Sequence, residues 1–238
     1  MFKDCFFDWK VWLAFVCPEF LSKNVDLLKF SPRTLIYFTG DLSASSNVAF
    51  SPTILTQLGW SNSEAQVHQI PIFLAAVFAS LTTTLWSSRI GFRSPFVFVA
   101  SCACITGWAI QFSQVNPPGV RYFSLFAITA GASVIMPLSV VWLNNNLVGR
   151  PKKAVATALQ MGFGNSANFV SSNMFITSEA PRYPTAFTTG LTFSVIGLFA
   201  TVLFLSLLAR ENRIADHRAE RLEQDGHELE DVRFRYTL

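Results

Sequence analysis

Long apolar stretches alternate with short polar breaks along this chain, at a spacing that suits helices crossing a bilayer. A hydrocarbon layer about 30 Å thick takes roughly 20 apolar residues at helical rise. Gln66 to Trp86, Phe96 to Phe112, Tyr122 to Leu143 and Phe187 to Ala209 read as four such spans. The breaks carry local stop and start chemistry. Ser61-Asn62-Ser63-Glu64 offers a helix N-cap, Ser87 to Pro95 a tight basic turn, Asn116-Pro117-Pro118-Gly119 a chain reversal, and Glu179 to Pro184 a short polar turn.

A fifth span is predicted over Arg150 to Asn173, where a basic loop (Arg150, Lys152, Lys153) runs into an uncharged but polar segment. At about 100° per residue, Thr157, Gln160, Gly164, Asn168 and Ser171 share one stripe, whereas Gly162, Asn165 and Asn173 point elsewhere. Lipid rejects such amides, so the stripe must face protein or water. Two readings stay open: a substrate pathway lined by Gln160 and Asn168, or glue between packed helices, where small residues and amides are also enriched.

The first fifty residues fit less well. Trp9 to Phe20 is too short for a span and ends at Pro18-Glu19, so residues 1–20 read as a partial transmembrane segment. In 21–47, the charges Lys23, Asp26, Lys29, Arg33 and Asp41 and the run Thr39-Gly40-Asp41 to Asn47 predict an atypical insert or loop. Residues 48–209 form the membrane lobe, and 210–238 a charged tail in water, either a solvated helix held by ion pairs or a lipid- or partner-binding element. Five transmembrane helices are expected, with a sixth if Trp9 to Phe20 and Val48 to Leu58 are pieces of one interrupted first helix.

Composition agrees with an all-α membrane protein. The 238 residues are 51% hydrophobic and 14% charged, with 24 Phe and 6 Trp suited to lipid-facing and interfacial positions. The net charge of +3 is accounted for by membrane-flanking loops and implies no nucleic-acid partner. Basic residues at every second connection (Arg89 and Arg93; Arg150, Lys152 and Lys153; the tail) place those connections and the C-terminus in the cytoplasm. Lys3, Asp4, Asp8 and Lys10 interrupt the N-terminus, which does not read as a cleavable signal peptide. Cys5, Cys17, Cys102 and Cys104 have no metal or redox spacing, and no nucleophile with its base, metal-ligand set or cofactor fingerprint appears, so no enzyme is predicted. The expected spans contain no Asp or Glu, and His68 at a helix end reads as an interfacial histidine rather than a proton relay.

Several motifs carry a resemblance: Phe50-Ser-Pro-Thr-Ile54, Arg89-x-Gly91-x-Arg93, Val120-Arg-Tyr-Phe123, Trp142-Leu-Asn-Asn-Asn146 and, above all, Lys153-Ala-Val-Ala-Thr-Ala-Leu-Gln-Met-Gly-Phe-Gly-Asn165. Ala180-Pro-Arg-Tyr183, Arg210-Glu-Asn-Arg213 and Asp231-Val-Arg-Phe-Arg-Tyr236 add to it. Together they resemble the C-terminal half of a fungal major facilitator transporter, nearest to the allantoate permease family of anion:cation symporters. The resemblance implies a two-lobed, twelve-helix carrier, of which this chain supplies the second lobe, working by alternating access in the plasma membrane. It implies a small carboxylate (allantoate, nicotinate or pantothenate) as substrate and protons as the coupling ion. Gln160 and Asn168, with Thr157, Gly164 and Ser171, become substrate-pathway candidates; Pro137, Arg89, Gly91 and Arg93 become candidates for helix bending or gating. A missing N-terminal lobe or a second copy would complete the carrier. The alternative is a non-transporting fragment or an associating half-carrier.

Overall fold

The computed structural model describes residues 27–114, 117–147, 150–180 and 182–224. Among these the chain is helical, in the order α1 (Leu27–Gln57), α2 (Asn62–Ile90), α3 (Ser94–Ser113), α4 (Pro118–Asn145), α5 (Arg150–Gly164), α6 (Ala167–Met174), a 3₁₀ turn (Thr177–Glu179) and α7 (Pro184–Gln224). Four of these helices, α2, α3, α4 and α7, are long and apolar enough to cross a membrane. They contain the four spans predicted from apolar runs alone.

Local chemistry sets their ends. Ser61 caps α2 in a capping box, its hydroxyl accepting from the Glu64 N–H while the Glu64 carboxylate accepts from the Ser61 N–H at 2.9 Å. Gly91 closes the same helix at φ 80°, donating its N–H to the Ser87 carbonyl. Prolines stand in the first turns of α3 and α4, where their missing N–H costs nothing.

The first helix corrects the expectation for 21–47. Instead of an insert or loop, residues from Leu27 onward form one continuous 31-residue helix that also absorbs Val48 to Gln57. Trp9 to Phe20 lies outside the described residues. At about 1.5 Å per residue α1 is roughly 46 Å long, more than a bilayer core requires. It packs against α4 and α7, and on α2, α5 and α6. Its polar residues are tolerated because neighbouring helices satisfy them. The Asn47 amide donates to the Leu125 carbonyl at 3.2 Å and to the Thr129 hydroxyl, and the Trp108 indole N–H donates to the Ser43 hydroxyl at 3.2 Å. The loop-like composition marks helix contacts.

The second correction concerns Arg150 to Asn173. It is two helices, α5 and α6, interrupted at Asn165 and Ser166. Gly162, Gly164, Asn165 and Ser166 are weak helix formers set close together. Side chains there also compete for the backbone: the Ser166 hydroxyl donates to the Phe163 carbonyl at 2.6 Å and the Asn168 amide to the Asn165 carbonyl at 3.0 Å.

Two apolar clusters hold the bundle. One joins Leu42, Trp108, Leu125, Ile128 and Phe187; the other joins Ile36, Ile135, Leu138, Trp142 and Phe204. Both run through α1, α3, α4 and α7; α1 and α4 are the most deeply buried of these, with α2 at the margin.

Candidate functional site

Four-residue steps bring two polar rows together. On α1, Arg33, Tyr37 and Asp41 follow one another on one face; on α5 and α6, Gln160, Gly164 and Asn168 do the same. The rows pack in the same chain direction and in matching register. The Gln160 amide donates to the Arg33 carbonyl at 3.3 Å, Gly164 lies against the Tyr37 ring, and the Asn168 amide donates to Asp41 Oδ2 at 2.9 Å. At the break, the Tyr37 hydroxyl points to Asn165 Oδ1 at 3.5 Å. A Cβ on Gly164 would collide with the Tyr37 ring, so glycine is what allows α1 and α5 this close.

Burial along the seam is uneven. Gln160, Gly164 and Ser171 are buried, as are Arg33, Tyr37 and Asp41, the last 7% exposed. Gln160 Oε1 has no hydrogen-bond partner among the described residues. Asn165, Asn168, Ser172 and Asn173 are exposed on the outer side of the broken helix. The Arg33 guanidinium lies 4.3 Å over the Phe204 ring, a contact that favours a cation in apolar surroundings.

The depth of the seam follows from its neighbours. Thr157 bonds to Asn144 at 3.1 Å, near the basic end of the bundle, where the Arg93 guanidinium lies against the Asn145 side-chain amide. Asn168 stands eleven positions further on, about 16 Å at helical rise, which is half a hydrocarbon layer. Thr39 and Gly40, just before Asp41, touch Gly197 and Ile135, both well inside their apolar spans. Asp41 is therefore an acidic side chain at membrane depth. The five expected spans contain no Asp or Glu, as read from the sequence; Asp41 lies on α1, in the stretch read as an insert.

The sequence-predicted residues divide accordingly. Gln160, Gly164 and Asn168 join the seam, Ser171 lies beside it with its hydroxyl bonded back to the Asn168 carbonyl, and Thr157 turns to α4. Pro137 is half-buried within α4, which continues past it unbroken. Arg89 and Gly91 are exposed on the α2–α3 turn, and Arg93 is half-buried beside α4. These four do not meet the seam. Arg33, Tyr37 and Asp41 were missed; their four-residue spacing, equal to that of Gln160, Gly164 and Asn168, was the available signal. His68 packs at a tilt against Trp60 with ring centroids 4.4 Å apart, and its backbone carbonyl accepts from the Tyr122 hydroxyl at 2.9 Å.

A second concavity, about 260 Å³, opens between α3 and α7 and is lined by Ser94, Pro95, Phe98, Val99, Thr201, Val202 and Leu205. Its walls are almost wholly apolar, as a lipid-facing cleft would be.

Spanning helices grouped around a polar, buried first helix define an all-α integral membrane protein. No family model matches the chain, and no solved structure matches it. Among curated proteins it is similar to the high-affinity nicotinic acid transporter of Saccharomyces cerevisiae, 34% identical over 173 residues, which are 72% of this chain and 32% of that protein. It is 30% identical over 205 residues to an uncharacterized transporter of Schizosaccharomyces pombe, covering 84% of this chain and 41% of that one. An MFS-type transporter of Penicillium expansum is 29% identical over 167 residues, or 68% of this chain and 32% of that protein. The relatives are fungal major facilitator-type transporters, and the chain spans less than half the length of each.

Proposed function

We propose that this chain is the C-terminal lobe of a major facilitator carrier of the allantoate permease type, moving a small organic anion with protons across the plasma membrane by alternating access. The observation that carries the reading is the exposed amide row Asn165, Asn168 and Asn173 along a broken, polar helix at membrane depth. Irregular backbone and amides are tolerated there only where protein or water covers them. An opposing lobe with substrate between the two would supply that cover. The similarity to a nicotinic acid transporter supports a carboxylate such as nicotinate as substrate. The basic turns and the tail face the cytoplasm in this reading.

The test is uptake of labelled nicotinate by cells or proteoliposomes carrying the complete protein. Asn165→Ala and Asn168→Ala each raise the half-saturation concentration if the exposed amide row contacts substrate; unchanged uptake by both variants removes it from the pathway.

The same exposed row favours a second reading, an associating half-carrier in which another copy covers this face. Cysteines placed at Asn173 would then cross-link two chains in the membrane. Monomer alone would leave the opposing-lobe reading.

A further inference from the structure

We propose that Asp41 is the proton-binding residue of this lobe, and that Asn168 couples its protonation to the binding of an organic anion. This rests on the transport reading above and adds to it the residue that takes the proton. Three observations meet at Asp41. It is a buried carboxyl at mid-membrane depth, where an ionisable side chain is costly to keep without a role. Its Oδ2 accepts at 2.9 Å from the amide of Asn168, which stands on the exposed polar face. And it adjoins the helix break at Asn165 and Ser166, with the Tyr37 hydroxyl one turn away pointing to Asn165 Oδ1.

The surroundings leave the titration to Asp41. The phenol of Tyr37 lies one turn back on α1, and Arg33 two turns back, about 12 Å along the axis at helical rise. From α5 and α6 the facing groups are Gly164 and Asn168, both uncharged. Among the described residues, the other charged and histidine side chains stand near helix ends and turns: Glu64, His68 and Arg89 on α2, Arg93 before α3, Arg121 on α4, Arg150 and Lys153 on α5, Glu179 and Arg182 before α7, and Arg210 and the charged residues after it beyond the apolar part of α7. Cys104, the buried thiol on α3, lies against Gly131 and points its Sγ to the Ile128 carbonyl, away from the seam.

The step is a simple protonation. One proton from water joins Oδ1, one negative charge disappears, and the Asn168 N–H···O bond changes from charge-assisted to neutral, losing roughly half its strength. An organic anion approaching the Asn168 N–H meets a like charge while Asp41 is ionised, and none once it is protonated. Anion and proton therefore enter together; release of the proton on the other side restores the carboxylate and its claim on Asn168.

Three measurements on the complete protein test this. In proteoliposomes loaded for nicotinate uptake, wild type accumulates label against its gradient when the outside is acidic. Asp41→Asn is expected to lower the accumulation ratio to unity while still exchanging internal for external nicotinate, and Asp41→Glu to restore accumulation. Retained acid-driven accumulation in Asp41→Asn overturns the proposal. Asn168→Ala removes a bond that favours the ionised carboxyl, so acid-driven uptake is expected to persist to higher pH; an unmoved pH profile counts against the coupling. Infrared difference spectra of the purified full chain in nanodiscs, between mildly acidic and neutral pH, should show a carboxylic-acid C=O band that is missing in Asp41→Asn. An Asp41 that titrates in a protein neither taking up nor exchanging nicotinate would sink the substrate reading and leave the proton site standing. The converse result, transport without that band, would sink the proton site alone.

Discussion

The helices α1 and α2 are neighbours in sequence and opposites in chemistry. The first carries Arg33, Asp41, Asn47 and a run of serines, and nearly every described side chain from Pro32 to Asn47 is buried or half-buried. The second is apolar from Ile70 to Trp86, yet only 17% of its most apolar window is buried within the bundle. In water this order would be reversed. In a bilayer, apolar surface is in contact with its preferred solvent on the outside, so polarity is what drives a helix inward, where amides, hydroxyls and charges find partners. The most polar helix is thus a central one, and its hydrogen bonds to Leu125, Thr129, Trp108 and Asn168 hold it there.

This contrast can be broken most directly by the same substitution on both helices. Leu42→Ala, at a fully buried position of α1, is expected to cost about 2–5 kcal/mol of stability by opening a cavity, whereas Leu81→Ala, on the exposed side of α2, stays within about 0.5 kcal/mol. Unfolding midpoints in detergent compare the two; equal losses would mean α2 is covered by protein. A smaller effect belongs to the seam. Gly164→Val drives a side chain into the Tyr37 ring and is expected to cost about 1–3 kcal/mol as an overpacked contact, with part of the loss recovered in the double variant with Tyr37→Ala. Additive losses in that cycle would show that the two residues do not meet. The smallest is Asn47→Ala, which removes the hydrogen bonds to Leu125 and Thr129; interhelical bonds of this kind average about 0.6 kcal/mol in membranes and reach about 1.7. A loss of that size, measured by the same midpoint, sharpens the claim that polar partners position α1, and no loss would assign its position to apolar packing alone.

Much of the bundle was readable before any coordinates. The Ser61 capping box, the Gly91 stop and the prolines opening α3 and α4 are signals a few residues long, and the stripe Gln160, Gly164, Asn168 follows from helical geometry. The other wall of the site was misread for a reason that is equally specific. Thr39-Gly40-Asp41 and Ser43 to Asn47 have the composition of a loop, and nothing local distinguishes a serine that faces water from one that accepts a bond from Trp108. The break at Asn165 and Ser166 was likewise hidden, since weak helix formers are common in membrane helices that stay continuous.

The sequence by itself determined that this protein spans a membrane and where α2, α3, α4 and α7 lie, because apolar length and capping chemistry are local properties. Only the tertiary structure decided that the charged stretch around Arg33, Tyr37 and Asp41 is a helix, that it lies at the centre, and that its polar row meets Gln160, Gly164 and Asn168. The partners that make those polar groups tolerable in lipid come from chain segments far away in sequence, and composition carries no record of who those partners are.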